Sequence, residues 1–198
     1  MRRPWQNLDS FLQPNKARAF ETGAFPSQAA VLVLFTDDPH HPEIIFTRRA
    51  RHLKNHPGEV SFPGGMWELG DNSLRDTALR ETEEEIGVAP TQVELLGACM
   101  RRATGAGIQV TPFVGMIPAA TQFTPNLAEL DAVFRVPVAA FHGGIIQTRT
   151  DIFSHGGRSY RVPAYLHQGY EIWGFTAALT AEIITALINP HAQPVVPE

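Results

Sequence analysis

The hydrophobic residues of the chain fall into short runs separated by polar turns, and the length of each run predicts an element. AAVLVLFT at 29–36 is continuously apolar and of strand length, which is typical of a central strand buried on both faces. IIFTRR at 44–49 has the composition of a second strand. The turn-like DDPHHPE between them, at 37–43, predicts that the two strands form a hairpin.

The remainder of the chain alternates predicted strands with helices. The clearest helix runs from 73 to 86, because Ser73 is an N-cap residue type, Asp76 follows three residues later and Gly87 suits a left-handed C-terminal position. The other predicted elements are strands at 93–100 and 108–117, a strand followed by a short helix at 133–144, a hairpin at 147–165 that turns at Gly156–Gly157, and an apolar helix at 175–187.

This order of elements indicates one domain of the α/β (α+β) class with a mixed β-sheet. The length of 198 residues is enough for one well-buried domain, and no linker composition divides it. We expect an N-terminal lead-in at 1–27, a single domain at 28–190 and a flexible tail at 191–198.

The composition is that of an ordinary globular protein and argues against several function classes. Hydrophobic residues make up 43% of the chain and charged residues 18%. The net charge of −4 offers no basic field for nucleic acid, and no run approaches the roughly 18 apolar residues needed to span a bilayer. A single cysteine, Cys99, excludes an intrachain disulfide, and the N-terminus lacks the apolar core of a signal peptide. We therefore expect a cytoplasmic protein that binds neither nucleic acid nor membranes.

Negative charge is concentrated between Asp71 and Val88, a segment that includes the stretch RETEEEIG at 80–87. On an α-helix Glu81, Glu84 and Glu85 share an arc of about 100°, while Glu83 points to another face. Like charges at this spacing repel by roughly 0.2–0.5 kcal/mol per pair, so either solvent tolerates them or a cation binds there. Three carboxylates meet the preference of hard divalent cations such as Mg²⁺ for oxygen ligands. The alternative is a solvated acidic helix face.

A glycine and an acid precede this helix at an informative spacing. Gly65, Asp71 and the run 80–88 give G-x5-D-x8-R-E-T-E-E-E-I-G-V, which resembles the box of the Nudix hydrolase family, G-x5-E-x7-R-E-U-x-E-E-x-G-U, where U is aliphatic. The chain departs from that box in three ways: Asp71 replaces glutamate, one extra residue precedes Arg80, and Thr82 replaces an aliphatic residue. The resemblance implies a Nudix-type α/β/α sandwich with a mixed β-sheet and a catalytic loop-helix-loop.

A second likeness concerns the segment just upstream. IIFTRRARHLKNHPGEVSFPGG at 44–65 is similar to the signature of the coenzyme A pyrophosphatase branch of that family. The match includes Thr47, Arg49 and the FPGG motif at 62–65, whereas Lys54 stands where the signature has arginine. Lysine keeps the positive charge but lacks the planar fork for bidentate phosphate contacts.

These resemblances imply a metal-dependent pyrophosphohydrolase that cleaves coenzyme A, or a derivative of it, to adenosine 3′,5′-bisphosphate and 4′-phosphopantetheine. They imply Mg²⁺ or Mn²⁺ held by Glu81, Glu84 and Glu85, since a metal neutralises charge on the diphosphate and activates water. Glu84 is also a candidate for orienting water. Arg80 is expected to position the glutamates. Glu129 is the candidate for a general base or an additional ligand.

Several cations and two glycines are expected to contact the phosphates of the substrate, which carries a 3′-phosphate besides its diphosphate. The basic run directly before FPGG supplies the cations, with Arg101 and Arg102 as further ones. A solvated basic surface is the alternative for each. The predicted substrate-binding residues are Arg48, Arg49, Arg51, Lys54, Gly64 and Gly65.

Two other functions stay open from the sequence alone. One is a Nudix pyrophosphatase that acts on ADP-ribose, a dinucleotide or a nucleoside triphosphate. The other is a Nudix-fold binding module without turnover, which would have little reason to retain Glu81, Glu84 and Glu85 together. A homodimer is a further expectation, because the terminal segments are apolar.

Overall fold

The structure is a computed structural model that describes residues 4–12, 21–104, 106–142, 146–155 and 158–188. Its helices are α1 (Leu8–Leu12), α2 (Leu74–Ile86), α3 (Val138–His142) and α4 (Gly174–Ile188), with 3₁₀ turns at Pro4–Asn7 and Pro90–Gln92. Its strands are β1 (Gln28–Thr36), β2 (Glu43–Arg49), β3 (Val60–Ser61), β4 (Gly64–Met66), β5 (Glu94–Ala98), β6 (Arg102–Ala103), β7 (Gln109–Ile117), β8 (Leu130–Pro137), β9 (Gln147–His155), β10 (Arg158–His167) and β11 (Tyr170–Ile172).

The strands form two sheets. In the larger sheet β3, β2, β1, β7 and β5 are neighbours in that order, with β4 paired to β1, β6 to β7 and β8 to β2. Strands β1 and β7 run parallel, and the other pairs of this sheet are antiparallel. The smaller sheet is antiparallel, in the order β11-β10-β9. The expected mixed sheet in an α/β sandwich is confirmed.

Alternation along β1 buries both faces of the larger sheet. Leu32 and Leu34 pack in the layer that contains α2, whereas Val33 and Phe35 pack in the opposite layer with α1, α4 and the smaller sheet. Each fully buried side chain of this size contributes about 1.5–3 kcal/mol. The continuous apolar run at 29–36 is therefore a central strand, as its pattern predicts.

The predicted hairpins and helices are confirmed. Phe35 pairs with Ile44 across β1 and β2, and β9 pairs with β10 along their length. The turn expected at Gly156–Gly157 lies outside the described residues. The helices predicted over 73–86 and 175–187 are α2 and α4.

Four short strands, β3, β4, β6 and β11, are absent from the sequence-based prediction, because two or three residues are too few to show an alternating pattern. Strand β4 begins at Gly64, whose φ is +149°. A Cβ at Gly64 would lie 2.3 Å from the carbonyl oxygen of Ala30, so the close approach of β4 to β1 requires glycine there.

The described part of the expected lead-in packs into the core. Trp5, Leu8 and Leu12 are at most 5% exposed and belong to the cluster that includes α4. The boundary at residue 27 stays a prediction, and the tail expected at 191–198 lies outside the described residues. No helix in the described ranges has the length and apolar character to cross a membrane.

Candidate active site

The acidic residues lie on α2, whose two ends are fixed by local contacts. The Ser73 hydroxyl accepts a hydrogen bond from the Asp76 N–H at 3.1 Å. At the other end Gly87 has φ +72° and donates its N–H to the Glu83 carbonyl at 2.9 Å. Both caps predicted from the sequence are confirmed. The two caps fix where the helix begins and ends, and therefore the directions in which its glutamate side chains point.

Arg80 is the positive centre of the site. Its Nε and Nη2 donate to the two carboxylate oxygens of Asp71 at 2.9 and 3.1 Å. Its Nη1 donates to Glu81 Oε1 at 3.1 Å and to Glu84 Oε2 at 3.0 Å, and Nη2 also reaches the Met66 carbonyl at 3.2 Å. The hydrogen bond to Asp71 raises the pKa of the guanidinium above its usual value, so Arg80 stays charged. One side chain thereby holds three acids.

Asp71 anchors Arg80. Its carboxylate is 6% exposed and also accepts hydrogen bonds from the Thr77 hydroxyl at 2.8 Å and the Glu68 N–H at 3.1 Å. Burial acts to raise the pKa of Asp71, but the hydrogen bonds from Arg80 and Thr77 outweigh burial and lower it. Asp71 therefore supports Arg80 in spite of its altered spacing.

The third departure from the family box, Thr82, is accommodated inside the core. Thr82 is fully buried, and its hydroxyl donates to the Ala78 carbonyl one turn earlier at 2.7 Å. A buried hydroxyl with a hydrogen-bond partner avoids the desolvation cost of an unpaired one. Threonine thus fills the aliphatic position.

Glu81 lies directly against the β4 backbone. A Cβ placed on Gly65 would come within 2.4 Å of the Glu81 carboxylate, so a larger residue would displace this side chain from its position. The Glu81 side chain is 15% exposed. The sequence assigns Gly65 to substrate binding, whereas its visible role in the structure is to admit Glu81.

Glu85 is the most buried carboxylate of α2 that faces the site. It is 4% exposed, and its Oε2 accepts a hydrogen bond from the Gly64 N–H at 3.2 Å. Glu84 lies farther out, with its side chain 56% exposed. The three predicted metal ligands thus form a gradient from buried Glu85 through Glu81 to exposed Glu84.

The loop at 124–129 brings Glu129 to the same site. The N–H groups of Thr124 and Asn126 donate to the carbonyls of Ile86 and Glu85 at 2.9 Å each, which fixes the loop to the end of α2. The Asn126 side chain then donates to Glu129 Oε1 at 3.1 Å. Backbone carbonyls freed at the end of a helix make this attachment possible.

The grouping of carboxylates perturbs their ionisation. Burial raises the pKa of Glu85 from 4.5 to about 8, and the charges of Glu81 and Glu129 add to the rise, while the Gly64 N–H and Arg49 oppose it. Burial also raises the pKa of Glu81, and the charges of Glu84 and Glu129 add to this effect against Arg80. Two neighbouring acids whose pKa values are raised by burial and by nearby carboxylates are typical of a functional centre.

The donors of the site fit a hard divalent cation. Glu81, Glu85 and Glu129 offer carboxylate oxygens, and Glu85 has a backbone N–H as its hydrogen-bond donor. Within the described residues, no three His, Cys, Asp or Glu side chains already surround a common point. Arg80 holds Glu81 and Glu84 at its own Nη1.

The basic run 48–54 is divided by the sheet. Arg49 lies on the α2 side, where its charge acts on Glu85, and its Nε is buried with no hydrogen-bond partner among the described residues. Arg48 points to the opposite side, 5.2 Å from the centre of the Tyr170 ring and 3.7 Å from the Asp131 carboxylate. The structure brings Arg49 to the glutamates and directs Arg48 away from them.

The other predicted phosphate contacts are either exposed or engaged by neighbouring side chains. Arg51 and Lys54 are exposed in the loop after β2. Arg101 donates to the Thr111 hydroxyl at 3.2 Å, and Arg102 is paired with Glu182 on α4. Arg102 is therefore engaged in a structural ion pair, contrary to its expected role as a free cation for substrate.

Comparisons with known proteins agree on one family. A sequence profile of the NUDIX domain matches residues 26–148. The protein named uncharacterized Nudix hydrolase NudL from Escherichia coli O7:K1 (strain IAI39 / ExPEC) is 39% identical over 157 residues, which cover 79% of this chain and 80% of that protein.

Solved structures extend the comparison to the fold. The NUDIX hydrolase from Alicyclobacillus acidocaldarius superposes with a TM-score of 0.51 at 19% identity, covering 88% of this chain and 99% of its own. The MutT/nudix family protein from Enterococcus faecalis gives a TM-score of 0.50 at 17% identity, covering 96% of this chain and 74% of its own.

The burial of Glu85 predicts a stability that falls with rising pH. The folded-state pKa of about 8 lies above the ordinary 4.5, so the stabilising effect of the bound proton is complete below pH 4.5 and is lost as pH rises through 8. The loss in the free energy of unfolding is on the order of 3–5 kcal/mol.

In metal-chelated buffer at pH 9, E85Q should be more stable toward urea than the protein without substitutions, with little difference at pH 4.5. E83Q, on the exposed face of α2, is the matched control and should show no such pH dependence. Equal unfolding midpoints for E85Q and the unchanged protein at pH 9 would contradict the burial of Glu85.

The contacts of Asp71 predict that it acts through Arg80. D71N removes the charge that holds Arg80 and should lower kcat by at least tenfold with a smaller change in KM, because Arg80 then no longer orients Glu81. It should also cost about 1–3 kcal/mol of unfolding free energy, as expected for a broken charged hydrogen bond. D76N, which alters an acid paired with the partly exposed Arg75, is the control and should leave both quantities nearly unchanged. If D71N and D76N give the same small effect on kcat, Asp71 does not position Arg80.

Proposed function

The chain belongs to the Nudix hydrolase family, and on that premise we propose that it hydrolyses the diphosphate of coenzyme A or its derivatives. The products are adenosine 3′,5′-bisphosphate and 4′-phosphopantetheine. A small-molecule substrate and a cytoplasmic location belong to the same proposal.

The main support for a catalytic function is that Glu81, Glu85 and Glu129 lie close together beside the backbone of Gly64 and Gly65. A chain gains no stability from burying several acids together, because each pays a desolvation cost and repels the others. Carboxylates held this close together are suited to binding a divalent cation beside a phosphate group. This arrangement argues against a binding module without turnover.

We assign the primary metal ligands to Glu81 and Glu85, with Glu84 as a further ligand or water-orienting group. Mg²⁺ or Mn²⁺ bound there would offset charge on the diphosphate and lower the pKa of a bound water. Arg80 holds the carboxylates of Glu81 and Glu84 in place through hydrogen bonds from its Nη1 atom. Arg80 acts on the substrate only through these glutamates.

Glu129 is our candidate for the general base or an additional ligand. Its charge acts on both Glu81 and Glu85, so it lies in the same electrostatic site without belonging to α2. The Asn126 amide holds one of its oxygens at 3.1 Å. The second oxygen can accept a proton from an attacking water.

The choice of coenzyme A is supported by the signature at 44–65 and by the position of Arg49. A guanidinium whose charge acts on Glu85 is suited to a phosphate oxygen bound beside that carboxylate. Arg51 and Lys54 lie exposed in the following loop, where they can meet a phosphate farther along the substrate. We therefore assign Arg49 to the diphosphate and Lys54 to the 3′-phosphate.

A substrate panel tests the proposed function directly. Coenzyme A, acetyl-coenzyme A, ADP-ribose, a diadenosine polyphosphate and a nucleoside triphosphate should be assayed with Mg²⁺ and with Mn²⁺. We expect the highest kcat/KM for coenzyme A or its thioester. E85Q is the catalytic control, and its turnover should fall by orders of magnitude. ADP-ribose ranking far above coenzyme A would overturn the substrate assignment.

The division of labour between Arg49 and Lys54 gives a separate prediction. K54A should raise KM for coenzyme A about tenfold, with little effect on 3′-dephospho-coenzyme A. R49A should impair both substrates alike, because both carry the diphosphate. Steady-state kinetics of the two variants on the two substrates measures this. A loss in K54A that is equal on both substrates would contradict the assignment to the 3′-phosphate.

A further inference from the structure

We propose that β9 is a pairing edge through which two copies of this chain form an antiparallel β-sheet dimer. Strand β9 ends the order β11-β10-β9, so one of its sides is hydrogen-bonded to β10 and the other side has no strand neighbour among the described residues. It extends over nine residues, Gln147–His155. A long edge with unpaired N–H and C=O groups is a template for another strand.

The sequence of β9 lacks two of the devices that usually protect an edge. It contains neither proline nor lysine. One face carries Thr148, Thr150 and Ile152, which are all β-branched and all exposed, Ile152 at 64%. Side chains of this type favour strands and pack well on a pleated surface. Their exposure is unusual, since they lie on the same face as the buried Tyr165 of β10.

Charge complementarity selects a second copy of the chain as the occupant and also selects the register. Arg149 and Asp151 occupy the other face of β9, where Arg149 is also paired with Asp151 of its own strand and with Glu171 of β11. If two β9 strands pair antiparallel about a two-fold axis through Thr150, Arg149 of each copy lies opposite Asp151 of the other. Opposite charges directly across a pair of strands are favourable, and such a two-fold interface is self-complementary.

The same register brings the apolar stripe together. Thr150 faces its counterpart, and Thr148 of each copy faces Ile152 of the other, so the exposed β-branched side chains cover one another. One strand pair buries less surface than the roughly 1,200–2,000 Å² of a standard interface, so we expect a concentration-dependent dimer with a Kd on the order of tens of micromolar. The smaller sheet would become six-stranded.

Charge reversal tests the surface and its register together. The full-length chain should approach twice its mass of 21.8 kDa in sedimentation velocity as its concentration rises from about 5 to 500 µM. R149D and D151R should each raise the Kd at least tenfold, because like charges then face each other twice. An equimolar mixture of R149D and D151R should recover association, since each altered residue meets its opposite in the heterodimer.

R75D, an equal charge change on α2 far from β9 in the chain, is the matched control and should associate like the unchanged protein. Circular dichroism and diphosphatase activity should stay unchanged in R149D and D151R, which shows that they are folded. If the protein without substitutions is a monomer at 500 µM, the proposed dimer is wrong. If neither charge reversal weakens association, or if the equimolar mixture of R149D and D151R does not associate, the proposed pairing of β9 with β9 in this register is wrong.

Discussion

The fork of Arg80 between Asp71 and two glutamates is the interaction on which the candidate site depends. The guanidinium is the immediate counter-charge for acids that would otherwise repel along one face of α2. Asp71 in turn is fixed by Thr77 and by the loop backbone, so the position of Arg80 is set by residues from both sides of the helix start. The acidic helix is tolerated because this cation is built into it.

Backbone packing explains why Glu85 is buried at all. Strand β4 approaches β1 so closely that Gly64 has no room for a side chain, and this places its N–H within reach of the Glu85 carboxylate. The carboxylate receives one hydrogen bond and is surrounded by other acids, which leaves it destabilised when ionised. The burial of apolar side chains in the two layers of the core offsets this unfavourable free energy. A site that opposes stability in this way is expected where function requires it.

Much of this arrangement is readable in the sequence, and the parts that are not have physical causes. Periodicity and capping residues predict α2, α4 and the long strands, and helical geometry predicts that Glu81 and Glu85 share a face. The burial of Glu85 is not predictable in the same way. It depends on the close approach of Gly64 in β4 to strand β1, and these two segments are far apart in the chain. The anchoring of Glu129 by Asn126 likewise depends on the end of α2, which is about forty residues away in the chain.

The basic run at 48–54 shows how sequence clustering and spatial clustering differ. The pairing of β2 with β8 shifts register between Arg48 and Arg49, and the two side chains lie on opposite sides of the sheet, so Arg49 approaches the glutamates and Arg48 does not. Arg48 instead stacks over Tyr170 and extends the aromatic contact between Tyr170 and Phe134. A substrate that uses the whole run would need contacts from the strand and from the loop that follows it. The strand supplies a fixed cation and the loop supplies exposed ones, which suits a ligand with one phosphate group at the reaction centre and another farther out.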